Sequence, residues 1–271
     1  MEILFIILSL FILTFICFVY FKINKQQIPK IIHKIYIEHS MKIPENIITE
    51  FKEAHDSWKL LNPDYEIRYW SGDDCEQYLS KNFGERYLKV FRKLKPYAYK
   101  SDFFRYCVIF KEGGWYSDWK QKTYVCLDSI VGDNDLICFH DHGIPALNYR
   151  KHIQNGFFGS VKNNPIIKLA IDQILFNVQN NIYGLHPLDP TGPYNFGKAI
   201  WTFLDNNDYK ILFGIYKANL YSIDNKIIIK HKTDNNIYNQ NWENGNNYNE
   251  MWRQKDIYLI DGFGFTMKNI R

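Results

Sequence analysis

The chain has 271 residues, of which 46% are hydrophobic, 17% aromatic and 23% charged, with Gly 15 and Pro 9. That composition excludes a disordered chain and a collagen-like or Pro/Gly-rich one, and it supplies enough apolar surface for one large core or two small ones. The net charge of +4 is too small for a protein held to nucleic acid by electrostatics, so no nucleic-acid partner is expected.

In chain order, residues 3–21 come first: 19 consecutive uncharged, mostly apolar residues. As a helix they would be about 28 Å long, close to the roughly 30 Å bilayer core. Only Met1 and Glu2 precede them, and no small-residue cleavage site follows. The segment therefore reads as an uncleaved membrane anchor (residues 1–22), followed by a short polar linker (23–27) and one globular domain (28–271). Lys22, Lys25, Lys30 and Lys34 all follow the span, a bias that places the domain on the cytoplasmic side. The 26 asparagines include no N-x-Ser/Thr sequon. The five cysteines (17, 75, 107, 126 and 138) form no CxxC; beyond Cys17 in the anchor they read as four buried thiols.

Residues 28–37, IPKIIHKIYI, read as a buried first strand. Residues 45–60 carry Ile48, Phe51, His55 and Trp58 at helical spacing, and EIRYW (66–70) alternates like a second strand. Ser71 with Asp74 three residues on resembles a capping box. The spacing predicts an amphipathic helix over 84–95, with Tyr87, Phe91 and Leu94 on one face and Arg86, Lys89 and Lys93 on another, and a further helix over 98–111 stopped by Gly113 and Gly114. Strand material is expected at 115–127, 135–140 and 156–161, and helices near 165–179 and 193–204. Residues 234–249, with eight asparagines in sixteen positions, read as a loop or lid. Alternating strands and helices indicate an α/β fold with a mainly parallel sheet.

The chemistry concentrates between Ala98 and Lys120. Asp102 and Arg105 are three apart on a helix and share a face. If 115–127 is extended, Asp118 and Lys120 share a face as well. A guanidinium suits phosphate, and carboxylates suit ribose hydroxyls or a divalent cation. In open α/β sheets the strand ends are the usual ligand crevice.

The pattern formed by Ala98, Ser101, Asp102, Arg105, Tyr106, Gly113, Gly114, Tyr116 and Asp118 resembles the DXD sugar-nucleotide region of glycosyltransferase family 32. IPKIIHKIYI is similar to that family's opening strand, close to IPKIIHQIW, and NGFFGS (155–160) and TGP (191–193) resemble later landmarks. The resemblance covers roughly residues 28–200. It implies a GT-A, Rossmann-like fold and retaining transfer of a hexose from a UDP- or GDP-sugar to a glycan, lipid or protein acceptor, usually with Mn²⁺ or Mg²⁺. Carried over, Asp102 and Arg105 contact the donor, His33 and Tyr116 join the nucleotide site, and Trp242 stacks on the nucleotide from a closing loop. Asp118 is the first Asp of DXD, a metal ligand and a catalytic residue. The second Asp is replaced by Lys120, which argues against the metal and leaves Lys120 and Arg105 to hold the leaving diphosphate. The family's usual placement is lumenal, opposite to the charge bias.

Other readings stand beside these. Asp102 and Arg105 make an ordinary ion pair if they lie on a surface, and His33 a plain strand residue. Asn155 and Asp189 are further donor or acceptor contacts, and Trp252 is a core or lid aromatic. His140, Asp141 and His142 are adjacent residues that point to different sides. A homologue that has lost the second Asp can also be a non-catalytic sugar or nucleotide binder.

Overall fold

The computed structural model describes residues 26–142, 152–231 and 245–260. The anchor at 3–21, and Trp242 in the expected lid, lie outside these residues. Among the described residues, no helix is long and apolar enough to cross a membrane.

The chain enters through β1 (Ile31–Ile35), the short helix α1 (Ile47–Glu50), α2 (Lys52–Leu61) and β2 (Glu66–Trp70). Phe51 separates the two helices with φ −107 and ψ 27, so the helix read at 45–60 is broken there. Three helices follow: α3 (Gly72–Phe83), α4 (Glu85–Lys93) and α5 (Tyr97–Glu112). The Ser71–Asp74 capping box forms in both directions: Asp74 N–H donates to Ser71 Oγ at 3.1 Å, and Ser71 N–H to Asp74 Oδ2 at 2.9 Å. Then come β3 (Gly114–Ser117), β4 (Lys122–Thr123), a single turn α6 (Asp128–Val131), β5 (Leu136–Asp141), β6 (Ile153–Ser160), α7 (Pro165–Gln179) and α8 (Pro193–Leu204). The chain finishes with β7 (Ile211–Lys217), β8 (Leu220–Ile223), β9 (Lys226–Lys230) and α9 (Tyr248–Arg253).

The nine strands form one sheet in the order β2-β1-β3-β6-β5-β7-β8-β9-β4. It is mixed, which corrects the mainly parallel sheet expected from the sequence. Among the described residues, only β1–β2, β1–β3 and β5–β7 pair in parallel. Strand β6 runs antiparallel to both its neighbours, β3 and β5. For β5 and β6 the link is short: β5 ends at Asp141 and β6 begins at Ile153, fewer intervening residues than the roughly dozen or more that a crossover between parallel neighbours takes. Strands β7, β8 and β9 meander through two-residue turns at Ala218-Asn219 and Asp224-Asn225. All four turn residues have positive φ, the backbone that lets a tight hairpin follow the twist of its strands.

Alternate strand residues feed two cores. Ile35, Tyr116, Leu136, Cys138 and Phe158 pack with α5, α7 and α8 on one face; Ile32, Trp115, Ile137, Phe139 and Phe157 pack with Trp58 and the meander on the other. Helix α5 is buried on nearly every side: Phe103, Phe104, Tyr106, Cys107, Val108 and Ile109 are fully covered. Each large apolar side chain buried in this way contributes about 1.5–3 kcal/mol. Gly113 and Gly114 end the helix at φ +69 and +94, and a Cβ on Gly114 would lie 2.6 Å from Ile31 O. No other residue tolerates both the conformation and the approach, so the glycine pair sets the point where the chain re-enters the sheet beside β1. Of the four thiols read as buried, Cys75, Cys107 and Cys138 are; Cys126 is exposed.

Candidate active site

The parallel strands β1 and β3 lie side by side, and their carboxyl ends open into a cleft of about 280 Å³. Ile35, Tyr36 and Ile37 line it from the end of β1, Ser101 and Arg105 from α5, and Tyr116, Asp118, Trp119 and Lys120 from β3 and the turn after it. His231, just past β9, and Asn246 and Tyr248, at the start of α9, close the other side. This is where ligands bind in open α/β sheets.

Arg105 is the hub. Its Nη2 lies 3.2 Å from Asp102 Oδ1, and its Nη1 3.6 Å from Asp118 Oδ1. The guanidinium stacks 4.1 Å from the Tyr116 ring centroid and donates to Asn155 O at 2.7 Å and Ser101 Oγ at 3.1 Å. The three charged residues that sequence spacing placed at the site are thus brought together. Asp102 and Arg105 are buried, 8% and 6% exposed, so the surface ion-pair reading is excluded. Asp102 also accepts from Asn155 Nδ2 at 2.9 Å and Thr191 Oγ1 at 2.8 Å. Burial pushes the Asp102 carboxyl up, against the pull of Arg105 and these two hydrogen bonds. Burial also opposes the Arg105 charge, but Tyr116, Asp102 and Asp118 outweigh it and hold its pKa above the ordinary value. Both oxygens of Asp102 are thereby spent on protein partners, and it is Arg105 and Asp118 that line the cleft.

Asp118 stands at the rim of β3. Tyr116 donates its hydroxyl to Asp118 Oδ1 at 2.7 Å, and His231 Nδ1 lies 3.9 Å from Oδ2. Gly156 on β6 passes so close that a Cβ there would be 2.5 Å from Asp118 Oδ2. Beneath the turn lies Lys34, fully buried, whose Nζ donates to Ser117 Oγ at 3.0 Å and Asp118 O at 3.2 Å and sits 4.8 Å over the Trp58 ring. Burial lowers its pKa to about 7, with Asp118 pulling the other way.

Lys120 does not occupy an extended strand with Asp118, and the shared-face argument fails. The chain turns at 118–121, with Gln121 N–H donating to Asp118 O at 3.2 Å. The turn forms because Gln121 is drawn inward, fully buried, to bond Ser117 and Tyr221. Lys120 still lines the cleft, its Nζ 5.0 Å over the Phe51 ring.

A divalent metal, usual in DXD enzymes, finds a poor donor set here. Among the described residues no group of three His, Cys, Asp or Glu side chains could hold one. Asp118 is the carboxylate of the cleft rim, its Oδ1 is engaged by Tyr116, and the position of a second carboxylate carries an ammonium. The described residues therefore offer a divalent ion one carboxylate at the cleft rim and no second.

The other sequence-derived site residues fall as follows. His33 is corrected: it is fully buried and away from the cleft lining. The Trp70 indole N–H donates to its Nδ1 at 3.1 Å, so Nε2 carries the proton and donates to Gly113 O at 3.1 Å. Its place in the fold is to tie β1 to the end of α5. Tyr116 lines the cleft floor with its hydroxyl committed to Asp118. Asn155 braces Asp102, and Asp189 accepts the N–H groups of Leu185 and His186 within its own loop. Trp252 donates to Tyr183 O and is not part of the cleft wall. His140 stacks on Phe213.

Burial lowers the His33 pKa from 6.5 to about 3, against the opposing bond to Gly113. Between those values the unfolded chain takes up a proton that the folded protein does not. Stability is therefore lost on acidification through that window, by about 1.4 kcal/mol per pH unit once the pH is well below 6.5. Urea unfolding at pH 7 and pH 5 should show His33→Gln losing about 2 kcal/mol less than the wild type over that interval; equal losses would mean that His33 titrates normally in the folded protein.

Sequence reasoning missed Lys34, Gly156, Thr191 and His231 as parts of the site. Lys34 carries a legible signal, a charged residue inside a run that otherwise reads as a buried strand. Thr191 lies in the TGP landmark. His231 carries none, because it meets Asp118 only through the β9 meander.

The profile described as "Glycosyltransferase sugar-binding region containing DXD motif" matches residues 49–137. An uncharacterized glycosyltransferase of Acanthamoeba polyphaga mimivirus is 30% identical over 203 residues, covering 73% of this chain and 76% of that protein. Inositol phosphoceramide mannosyltransferase 2 of Schizosaccharomyces pombe is 27% identical over 153 residues, 56% of this chain but 40% of the yeast protein. Among solved structures, the PaToxG glycosyltransferase superposes with a TM-score of 0.51 at 23% identity, over 66% of this chain and 71% of that one. This last likeness concerns the fold, and it agrees with a GT-A arrangement built on a mixed sheet.

Proposed function

Because the chain belongs to the glycosyltransferases whose sugar-binding region carries the DXD motif, we propose that its cleft binds a UDP- or GDP-sugar and transfers the hexose, with retention, to a hydroxyl of a glycan, lipid or protein acceptor. The observation that carries this reading is the convergence of Arg105 and Asp118 on the cleft at the carboxyl ends of β1 and β3. The anomeric carbon–oxygen bond breaks and its electron pair stays on the diphosphate. The acceptor oxygen bonds to the same carbon from the same face, and its proton passes to the departing phosphate oxygen. This route needs no protein nucleophile. The protein's task is to hold the developing charge, which Arg105 does from a prearranged position. Tyr36 and Trp119 present aromatic surface at the cleft wall, suited to a nucleobase.

The 19 uncharged residues at 3–21 support attachment to a membrane. A lipid acceptor fits that placement, and the yeast relative is named for one. The lysines after the span support a cytoplasmic domain.

A second reading is a non-catalytic sugar or nucleotide binder, favoured by the lysine at the second Asp position. The full-length chain in detergent, given a panel of UDP- and GDP-sugars, distinguishes the two. The enzyme is expected to release UDP or GDP from at least one donor, faster with acceptor present. Binding without release from every donor would support the second reading.

A further inference from the structure

We propose that this site holds the donor diphosphate with side-chain cations and no bound metal, Lys120 being the direct ligand where the family pattern has its second carboxylate. The inference rests on the donor-site reading above and adds how the charge is met.

Four observations carry it. Lys120 and Arg105 line the same cleft as Asp118, so two cations border the place where the diphosphate would lie. Asp118 already has a hydrogen bond from Tyr116 on Oδ1 and Arg105 at 3.6 Å. Lys34 lies buried under the same turn, its Nζ 3.2 Å from the main-chain oxygen of Asp118, so a third amino group or guanidinium stands near the rim besides Lys120 and Arg105. No three-ligand group exists among the described residues. A dication at Asp118 would be repelled from several sides, whereas a diphosphate would be attracted from the same sides. Lys120 can serve from its turn because the ammonium is a compact charge on a flexible stem that already lines the cleft. Asp118 then acts through hydrogen bonding to the donor rather than through coordination.

The test is binding of UDP and GDP to the full-length chain, read by tryptophan fluorescence in EDTA and again with Mn²⁺. Affinity should be within about threefold in the two conditions. Lys120→Ala should weaken it about 10- to 100-fold, the worth of one charged hydrogen bond to phosphate. Lys120→Asp should lose binding in EDTA and regain it with Mn²⁺, because the second carboxylate is restored. Lys120 lies in a turn at the cleft rim, so melting temperatures of both variants should match the wild type and separate binding loss from misfolding. Wild-type binding that needs Mn²⁺, together with wild-type behaviour of Lys120→Ala, would overturn the inference and leave the donor-site reading intact. Absence of UDP and GDP binding in both conditions would overturn the donor-site reading and this inference with it.

Discussion

Asp118→Asn is expected to lower sugar transfer or donor hydrolysis on the order of 100-fold while leaving the fold in place, the usual cost of removing one group that acts on the transition state. Asn has the shape of Asp and its carbonyl oxygen can still accept the Tyr116 hydroxyl that now lies 2.7 Å from Oδ1. What disappears is the negative charge at the cleft rim. Arg105, 3.6 Å away, then loses one of the two carboxylates that balance it. Turnover should fall far more than unfolding stability, which is expected to change by less than about 1 kcal/mol because Asp118 sits at the rim. The measurement is steady-state release of nucleoside diphosphate beside urea unfolding of the same preparation. Wild-type turnover in the variant would remove Asp118 from the chemistry; equal damage to both readouts would make it a residue of the fold.

Arg105→Ala should damage both. The guanidinium is buried between Asp102, Asp118, Asn155, Ser101 and the Tyr116 ring. Its removal leaves the Asp102 carboxylate at 8% exposure with Asn155 and Thr191 but no cation. Breaking one side of a buried ion pair costs about 3–5 kcal/mol, mostly through the charge left behind. The midpoint of urea denaturation should drop accordingly and donor release should become undetectable. Arg105→Lys keeps the charge but not the fork that reaches Asp102, Asp118 and Asn155 O together, so it should recover part of the stability and little of the activity. If Arg105→Ala unfolds at the wild-type midpoint, the buried network contributes nothing to the fold and its central place is wrong.

Sequence alone determined several parts of this protein, and each was legible because its cause is local. The capping box at Ser71 and Asp74, the helix over α5 and its stop at Gly113-Gly114, and the spans of α7 and α8 depend on residues a few positions apart. Asp102 and Arg105 were readable as partners for the same reason: three residues apart on a helix is a fixed geometry. The turns at Ala218-Asn219 and Asp224-Asn225 were legible in principle, since each two-residue break separates runs rich in Ile and Tyr, but isolated they were weaker than the motif upstream. Tertiary structure decided the rest. Whether the sheet was parallel depended on how strands far apart in the chain met, and β6 entered antiparallel between β3 and β5. Whether Asp118 and Lys120 shared a face depended on Gln121, whose inward bonds to Ser117 and Tyr221 bend the chain. His33 looked like a site residue and became a buried tie because its two ring nitrogens meet Gly113 and Trp70, 80 and 37 residues away. His231 reaches Asp118 across 113 positions only because the β7–β9 meander folds back on β4. Spacing along a chain fixes which groups a helix or a turn presents. Which groups face them across the cleft follows from packing, because contacts made by the folded sheet leave no local pattern in the residues that make them.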